Sequence, residues 1–145
     1  MIHETAIINL KSKIDQNVDI GPYTVIGPDV EIKEGTKIQS HVSITGHTII
    51  GKNNEIYPFA SIGNNPQDLK YRGENTQLII GDGNTIREYT TINTGTLGGG
   101  GLTKIGDNSL FMIGVHVAHD CIIGNNVVIA NSAAIAGHAV IGDQV

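Results

Sequence analysis

A six-residue period runs through this 145-residue sequence and limits its fold more than any other feature. Isoleucine occupies the repeated position without a miss from Ile2 to Ile62, and after two breaks the period resumes with mixed apolar residues. An α-helix repeats every 3.6 residues and a flat strand every two, so neither explains this spacing. The repeated positions are Ile2, Ile8, Ile14, Ile20, Ile26, Ile32, Ile38, Ile44, Ile50, Ile56, Ile62, Ile80, Ile86, Ile92, Ile105, Phe111, Val117, Ile123, Ile129, Ile135 and Ile141.

The period predicts an all-β fold, a parallel β-helix of triangular cross-section. Three six-residue sides make a coil of eighteen residues, and residues eighteen apart stack at a strand spacing of about 4.8 Å. The isoleucines then point inward, and the position four residues later is small or β-branched, as in Val18 and Thr24. One coil cannot bury its own apolar face, so neighbouring coils stabilise one another. We therefore expect residues 1–145 to form one domain.

The composition suits a narrow β-helix better than a globular core. The chain has 19 glycines and 4% aromatic residues, and a net charge of −5 without a basic stripe argues against nucleic acid as a partner.

The single cysteine, Cys121, excludes an intrachain disulfide and suits a reducing compartment. Because the sequence shows no signal peptide and no apolar run of about eighteen residues, we predict a cytoplasmic protein without membrane insertion.

Two breaks in the period predict loops that leave the coil, at about residues 64–75 and 95–103. In the first, the inward positions fall on Asp68 and Glu74, and a charge cannot lie unpaired in such a core. The same loop carries Gln67 and Lys70, which with Asp68 suit the hydroxyls of a sugar; a solvated surface loop is the alternative. The second break holds four consecutive glycines without the Lys-Ser/Thr of a P-loop, so it indicates a mobile loop and only weakly a phosphate site.

The segment from residue 112 to 121 is the richest in reactive groups. The inward phase puts His119 and Asp120 at or beside a corner, facing outward, where a ligand can reach them. The eighteen-residue stacking then places Gly137 over His119 and His138 over Asp120. Glycine leaves open space above the imidazole and allows close approach to its backbone N–H.

This arrangement contains what acyl transfer needs. An imidazole takes the proton of a hydroxyl while a nearby N–H faces the oxyanion. Asp120 is expected to fix the tautomer of His119 or to support its cation, with His138 near enough to join. A structural histidine at a corner of the coil is the alternative interpretation.

Several segments together resemble one known family, the UDP-N-acetylglucosamine O-acyltransferases that begin lipid A synthesis in Gram-negative bacteria. The most specific pair is Gln-Asp-Leu-Lys at 67–70 and His-Val-Ala-His-Asp-Cys at 116–121. Hexapeptide coils of this kind are known as left-handed, so the resemblance implies a left-handed parallel β-helix, against the usual rule for parallel crossovers. The other segments, which run in order along the chain, are 46–48, 54–57, 59–63, 86–88, 98–104 and 136–138.

The resemblance implies transfer of a 3-hydroxyacyl group from acyl carrier protein to the 3-hydroxyl of UDP-N-acetylglucosamine, with no metal and no cofactor. It implies that His119 is the general base, that Asp120 supports it and that the backbone of Gly137 supplies the oxyanion contact. It also implies a homotrimer with active sites between adjacent subunits. The substrate-binding residues implied are Asp68 and Lys70 for the sugar, with Gln67, His116 and His138 lining the site.

The sequence departs from the family in two ways. Asn93-Thr94 stands where some members have His-Arg, which removes basic charge near the second loop. Family members also continue well beyond this length, through further coils and a C-terminal helical domain. The groups that hold the nucleotide, measure the acyl chain and attract the acidic carrier would lie there, so we expect this chain to be a fragment or a truncation.

Two other functions stay open. A hexapeptide carbonic anhydrase is also a trimer and binds zinc through three imidazoles, but it separates its paired ligands by five residues, whereas His116 and His119 are three apart. A truncated β-helix scaffold with no activity is the second. Stoichiometric zinc in purified protein would favour the first, and failure to bind UDP-N-acetylglucosamine would favour the second.

Overall fold

The computed structural model describes residues 1–145 and consists of short strands joined by corners, with one turn of 3-10 helix (Leu97–Gly99). No helix in it has the length and apolar character needed to span a bilayer. The strands are β1 (Ile7–Ile8), β2 (Lys13–Ile14), β3 (Asp19–Ile20), β4 (Val25–Ile26), β5 (Val30–Ile32), β6 (Lys37–Ile38), β7 (Ser43–Ile44), β8 (His47–Ile50), β9 (Glu55–Ile56), β10 (Ser61–Asn64), β11 (Gln77–Ile80), β12 (Thr85–Ile86), β13 (Thr91–Asn93), β14 (Leu102–Ile105), β15 (Leu110–Phe111), β16 (His116–Val117), β17 (Ile122–Ile123), β18 (Val128–Ile129), β19 (Ala134–Ile135) and β20 (Val140–Ile141).

Every third strand joins the same sheet, which confirms the predicted three-sided coil. The first sheet has the order β1-β4-β7-β10-β13-β16-β19, the second β2-β5-β8-β11-β14-β17-β20, and the third β3-β6-β9-β12-β15-β18. All strand pairs are parallel, and Ile26 pairs with Ile44 and Val117 with Ile135, eighteen residues apart in each case. The chain is therefore a stack of coils in which each strand hydrogen-bonds only to the coils before and after it.

The strand pairing shows how many residues each of the two loops adds to its coil. Ile50 pairs with Ile80, thirty residues on instead of eighteen, so the first excursion adds twelve residues. Ile80 pairs with Ile105, twenty-five residues on, so the second adds seven. We call residues 65–76, between β10 and β11, the first excursion and residues 94–101, between β13 and β14, the second excursion. Both predicted loops exist, but the second ends earlier than expected, because residues 102 and 103 already belong to β14.

The inward isoleucines form the core that the period predicts. From Ile20 to Ile129 the repeated apolar positions are buried, whereas Ile8, Ile14, Ile135 and Ile141 are only partly buried because they lie in the end coils. The second inward position, four residues after the first, is buried as well in the central coils, as at Val18, Val42 and Val127. At Thr24, for example, the hydroxyl donates to the carbonyl of Gln39 and accepts the N–H of Val42, both of which lie in the next coil. Threonine therefore fits this core because its polar atom is satisfied.

The corners rely on backbone in the left-handed region. Asp120 (φ 62°) and His138 (φ 65°) share this conformation at stacked positions, and Tyr23 and His41 adopt it at another corner. Non-glycine residues occupy this region uncommonly, with asparagine, aspartate and histidine enriched. The repeat thus determines both the sides and the sharp corners of each coil.

Candidate active site

One edge of the β-helix, between the first and second sheets, carries all the predicted site residues except His116, which lies on β16. Both excursions leave from this edge, since they join β10 to β11 and β13 to β14. The next coils along the same edge contribute His119–Asp120, between β16 and β17, and Gly137–His138, between β19 and β20. We call this edge the excursion corner. Residues far apart in sequence meet there because successive corners stack along the axis.

His119 and Asp120 form a hydrogen-bonded pair. His119 Nδ1 lies 2.8 Å from Asp120 Oδ2, and the imidazole is 15% exposed. A carboxylate that accepts from Nδ1–H leaves Nε2 as the unprotonated nitrogen, which is the form that a general base requires.

Asp120 is buried, and the expectation that it faces outward toward a ligand is wrong. Its side chain is 1% exposed because the second excursion lies over it. The N–H of Thr96 donates to Oδ1 at 2.8 Å, the Thr96 hydroxyl donates to Oδ2 at 2.5 Å, and Thr103 Oγ1 accepts the backbone N–H of Asp120 at 2.9 Å. Burial acts to raise the pKa of Asp120, but the hydrogen bonds from Thr96 and His119 outweigh it, so the pKa lies below its ordinary value. The residue is therefore a buried carboxylate anion.

Gly137 stacks on His119 as the eighteen-residue register predicts, but the space above the imidazole is not open. A Cβ added at Gly137 would lie 2.5 Å from Cε1 and 2.6 Å from Nε2 of His119. The imidazole itself fills the space that a side chain would take, which corrects the expectation of an empty gap for substrate. The backbone N–H of Gly137 has no acceptor within the chain, so it is free to donate to a ligand.

His138 lies edge-on to His119. Their ring centroids are 5.0 Å apart with an interplanar angle of 87°, and His138 Nδ1 lies 3.8 Å from Asp120 Oδ2. A metal ion could in principle contact three residues here, because the potential ligand atoms of His119, Asp120 and His138 lie within 4.8 Å of one another. That set contains two imidazoles and a carboxylate whose Oδ2 already accepts two hydrogen bonds. Within this chain it does not supply the three imidazoles that a carbonic anhydrase would need.

The two excursions and His138 enclose a cleft of about 170 Å³. Asp68 and Lys70 both line it, as the predicted sugar-binding loop requires, whereas Gln67 is exposed on the loop and lies outside its walls. His119 does not line the cleft either; it adjoins the cleft through His138. The lining residues are Asp68, Lys70, Tyr71 and Glu74 from the first excursion, Thr96, Leu97 and Gly98 from the second, and His138.

The first excursion is held in shape by its own hydrogen bonds. Asp68 Oδ1 accepts the N–H of Lys70 at 2.9 Å, and the hydroxyl of Tyr71 donates to the carbonyl of Glu74 at 2.9 Å. Thr76, at its end, hydrogen-bonds Thr94 at the start of the second excursion. The two loops therefore share a base, although they are separate in sequence.

His116 lies beside the site on β16 and not in the cleft. Its Nδ1 is hydrogen-bonded to Thr91 Oγ1 at 2.7 Å. Burial lowers the pKa of His116, and the neighbouring His119 lowers it further, so the imidazole is neutral at neutral pH.

The sequence-based reasoning missed Thr96 and Gly99. A Cβ at Gly99 would overlap the carboxylate of Asp120, so the glycine run allows the loop to approach that group closely. The run of four glycines was the only sign of this contact in the sequence. It indicated a mobile loop and did not show that the loop packs against Asp120. Asn93 and Thr94, where the second excursion leaves the coil, are buried, and Asn93 Oδ1 has no hydrogen-bond partner within the chain.

Comparison with known proteins agrees with this fold. The bacterial transferase hexapeptide model (six repeats) matches residues 11–46 and 102–137. Acyl-[acyl-carrier-protein]--UDP-N-acetylglucosamine O-acyltransferases from Thermodesulfovibrio yellowstonii and Aliarcobacter butzleri are 53% and 58% identical over 98% and 99% of this chain. LpxA from Acinetobacter baumannii superimposes with a TM-score of 0.98 at 52% identity, over 99% of this chain and 55% of its own.

The matches cover nearly the whole of this chain but only part of each relative. The chain spans 55% of the length of both curated relatives. The fold is the left-handed parallel β-helix expected from hexapeptide repeats. The chain is therefore similar, over nearly its whole length, to about half of the length of the UDP-N-acetylglucosamine O-acyltransferases.

Proposed function

We propose that this β-helix carries the catalytic centre of an acyltransferase that moves a 3-hydroxyacyl group from acyl carrier protein to the 3-hydroxyl of UDP-N-acetylglucosamine, the first step of lipid A biosynthesis. The observation that carries the proposal is the His119–Asp120 pair stacked against the free N–H of Gly137. The names of the relatives supply the substrates.

Each group has a defined part in the proposed reaction. His119 Nε2 takes the proton of the sugar hydroxyl as its oxygen attacks the thioester carbonyl. The Gly137 N–H donates to the resulting oxyanion. When the C–S bond breaks, the imidazolium returns the proton to the leaving thiolate, so an ester and a free thiol are the products. Asp120 holds the imidazole in the required tautomer and stabilises its cation.

The sugar is proposed to bind in the cleft between the excursions. Asp68 offers a carboxylate and Lys70 an ammonium group there, a pair that suits adjacent hydroxyls and a nearby phosphate. His138 connects the cleft to His119, while Gln67 and His116 are proposed to contact substrate from positions outside its walls. We further propose a homotrimer, with a neighbouring subunit completing the site beside His119, and a cytoplasmic location, in keeping with the free thiol of Cys121.

An acyl-transfer assay tests the proposal. A protein of the relatives' full length that includes this sequence is incubated with UDP-N-acetylglucosamine and a panel of carrier-bound 3-hydroxyacyl chains, and the ester product is measured. We expect transfer with at least one chain length and much weaker transfer by the 145-residue chain alone, since binding contacts remote from the reacting atoms support the chemical step. No product with any chain would contradict the proposal, and sizing by light scattering tests the trimer.

A further inference from the structure

We propose that Thr96 is a positioning residue whose two donors hold the Asp120 carboxylate, so that His119 keeps its proton on Nδ1 and presents Nε2 as the base. The inference rests on the proposed acyl transfer. It gives the second excursion a part in the chemistry beyond lining the cleft.

The contacts form a clamp on both carboxylate oxygens. The backbone N–H of Thr96 donates to Oδ1 at 2.8 Å and its hydroxyl donates to Oδ2 at 2.5 Å. The Nδ1–H of His119 then donates to Oδ2 at 2.8 Å. Because one residue fills sites on both oxygens, the carboxylate cannot rotate without breaking a charge-assisted hydrogen bond, and such bonds are about twice as strong as neutral ones.

The second excursion holds Thr96 in place for this contact. The carbonyl of Thr96 accepts the N–H of Gly99 at 3.1 Å and that of Gly101 at 2.7 Å, which closes the loop around it. Gly99 lacks the Cβ that would overlap the carboxylate, and a Cβ at Gly95 would lie 2.8 Å from Oδ1. The glycine run thus brings the donors of the loop onto a carboxylate that belongs to the following coil.

The consequence for the base follows from histidine chemistry. A neutral imidazole has two tautomers, and only the one with Nδ1 protonated leaves Nε2 able to accept a proton. An ionised carboxylate aligned with Nδ1 selects that tautomer, and a group that cannot do so allows the wrong tautomer to form. Removing the hydroxyl of Thr96 leaves the Nδ1–H of His119 as the only donor to Oδ2, so we expect the carboxylate to lose its fixed alignment with Nδ1.

Kinetics of Thr96→Val provide the first test, in the full-length protein used for the acyl-transfer assay. We expect kcat to fall about ten- to hundredfold, the value of a hydrogen bond to a charged group, with KM for the sugar nucleotide nearly unchanged. Thr96→Ser keeps the hydroxyl and should restore most of the rate. Thr24→Val is the matched control, because Thr24 is also buried and its hydroxyl also donates to one acceptor, the carbonyl of Gln39, far from the site. A Thr96→Val rate equal to that of Thr24→Val would overturn the proposal.

The second test does not depend on acyl transfer. Nitrogen-15 NMR of labelled histidine reports which ring nitrogen of His119 bears the proton, and the His119→Ala variant assigns the signal. Thr96→Val should increase the fraction with Nε2 protonated and raise the pKa of Asp120, whereas Thr24→Val should change neither. An unchanged tautomer ratio overturns the proposal whatever the kinetics show. The expected tautomer change in a protein that transfers no acyl group supports the positioning contact and contradicts the proposed function instead.

Discussion

Two corners of this β-helix share one backbone conformation and differ in chemistry. At the corner between the third and first sheets, here called the aromatic corner, four rings stack with centroids 5.2 to 5.4 Å apart. At the excursion corner, Asp120 and His138 have the same left-handed backbone, but the carboxylate lies beneath a loop. The residues of the aromatic corner are Tyr23, His41, Phe59 and Tyr89, with φ between 57° and 66°.

The difference lies in what occupies the neighbouring positions. At the aromatic corner each ring stacks on the ring of the next coil, and no loop covers the column. At the excursion corner Gly137 takes the position over His119, so the imidazole packs where a side chain would otherwise lie. An excursion then supplies donors to the adjacent carboxylate. A corner residue therefore acquires chemistry from a glycine in the next coil and from a loop that is not part of the repeat.

Exchanging each histidine for alanine gives the sharpest test of this comparison. His119→Ala should lower acyl transfer by about two to four powers of ten, because a positioned base contributes that much. His41→Ala, which removes an imidazole from the aromatic corner, should leave the rate unchanged. Circular dichroism should show both variants folded. Retention of more than half the activity by His119→Ala would exclude His119 as the base.

A side chain in place of the stacked glycine should reduce the rate almost as much. Gly137→Val puts carbon atoms where the His119 ring lies, so it displaces the base and disturbs the oxyanion donor together. Losing one oxyanion donor alone costs roughly 3 to 4 kcal/mol, so we expect a drop of a hundredfold or more in kcat. Near-normal turnover of Gly137→Val would show that catalysis does not require the His119 imidazole to pack against Gly137.

The buried carboxylate should make stability depend on pH at the acid end. Asp120 has a lowered pKa in the folded chain, so its contribution to stability is present above its unfolded pKa of about 3.9 and is lost as pH falls through the folded value. Asp120→Asn should be less stable by about 1 to 3 kcal/mol at neutral pH, because its partners lose a charged acceptor. Denaturant titrations from pH 7 to pH 2 should show this difference shrinking below about pH 4. A difference that is constant with pH would mean that Asp120 is not the group responsible.

His116 should produce the smallest effect, at higher pH. Burial lowers the pKa of His116, so the unfolded chain takes up a proton at a higher pH than the folded chain does. The stability of the fold therefore falls as pH drops from about 6.5, the unfolded pKa, toward the lower pKa of the folded state. His116→Gln should remove this loss while the Gln side chain can still bond Thr91. We expect a change of about a degree or two in the pH dependence of Tm. Identical pH profiles for the two proteins would contradict the neutral, buried state assigned to His116.

Much of the fold was predictable because each coil repeats the same local solution. The spacing of the isoleucines identified the sides, the stacking distance and the positions of both excursions, and it correctly placed Gly137 over His119. The second excursion was predicted two residues too long at its C-terminal end, because Leu102 and Thr103 join β14 ahead of the next isoleucine. A period reports inward positions and gives no information about where a strand begins.

The site was predictable only in part. The sequence indicated His119, Asp120 and His138 as neighbours, since the register alone brings them together. The predictions that Asp120 faces outward and that the space above His119 is empty were both wrong. Neither the loop that covers the carboxylate nor the direction of the imidazole follows from a six-residue period. Gln67 was grouped with Asp68 and Lys70 by residue type, yet it lies outside the cleft that those two line.

The sequence by itself determined the stack of coils, because apolar residues every six positions can all be buried only by winding and stacking. The tertiary structure alone decided how the excursions fold back on the coil. Thr96 and Asp120 are 24 residues apart, a separation that is not a multiple of the coil, and their contact forms because the loop satisfies a buried carboxylate. That requirement is physical and non-periodic: an ionised group away from water must find donors, and here they come from outside the repeat.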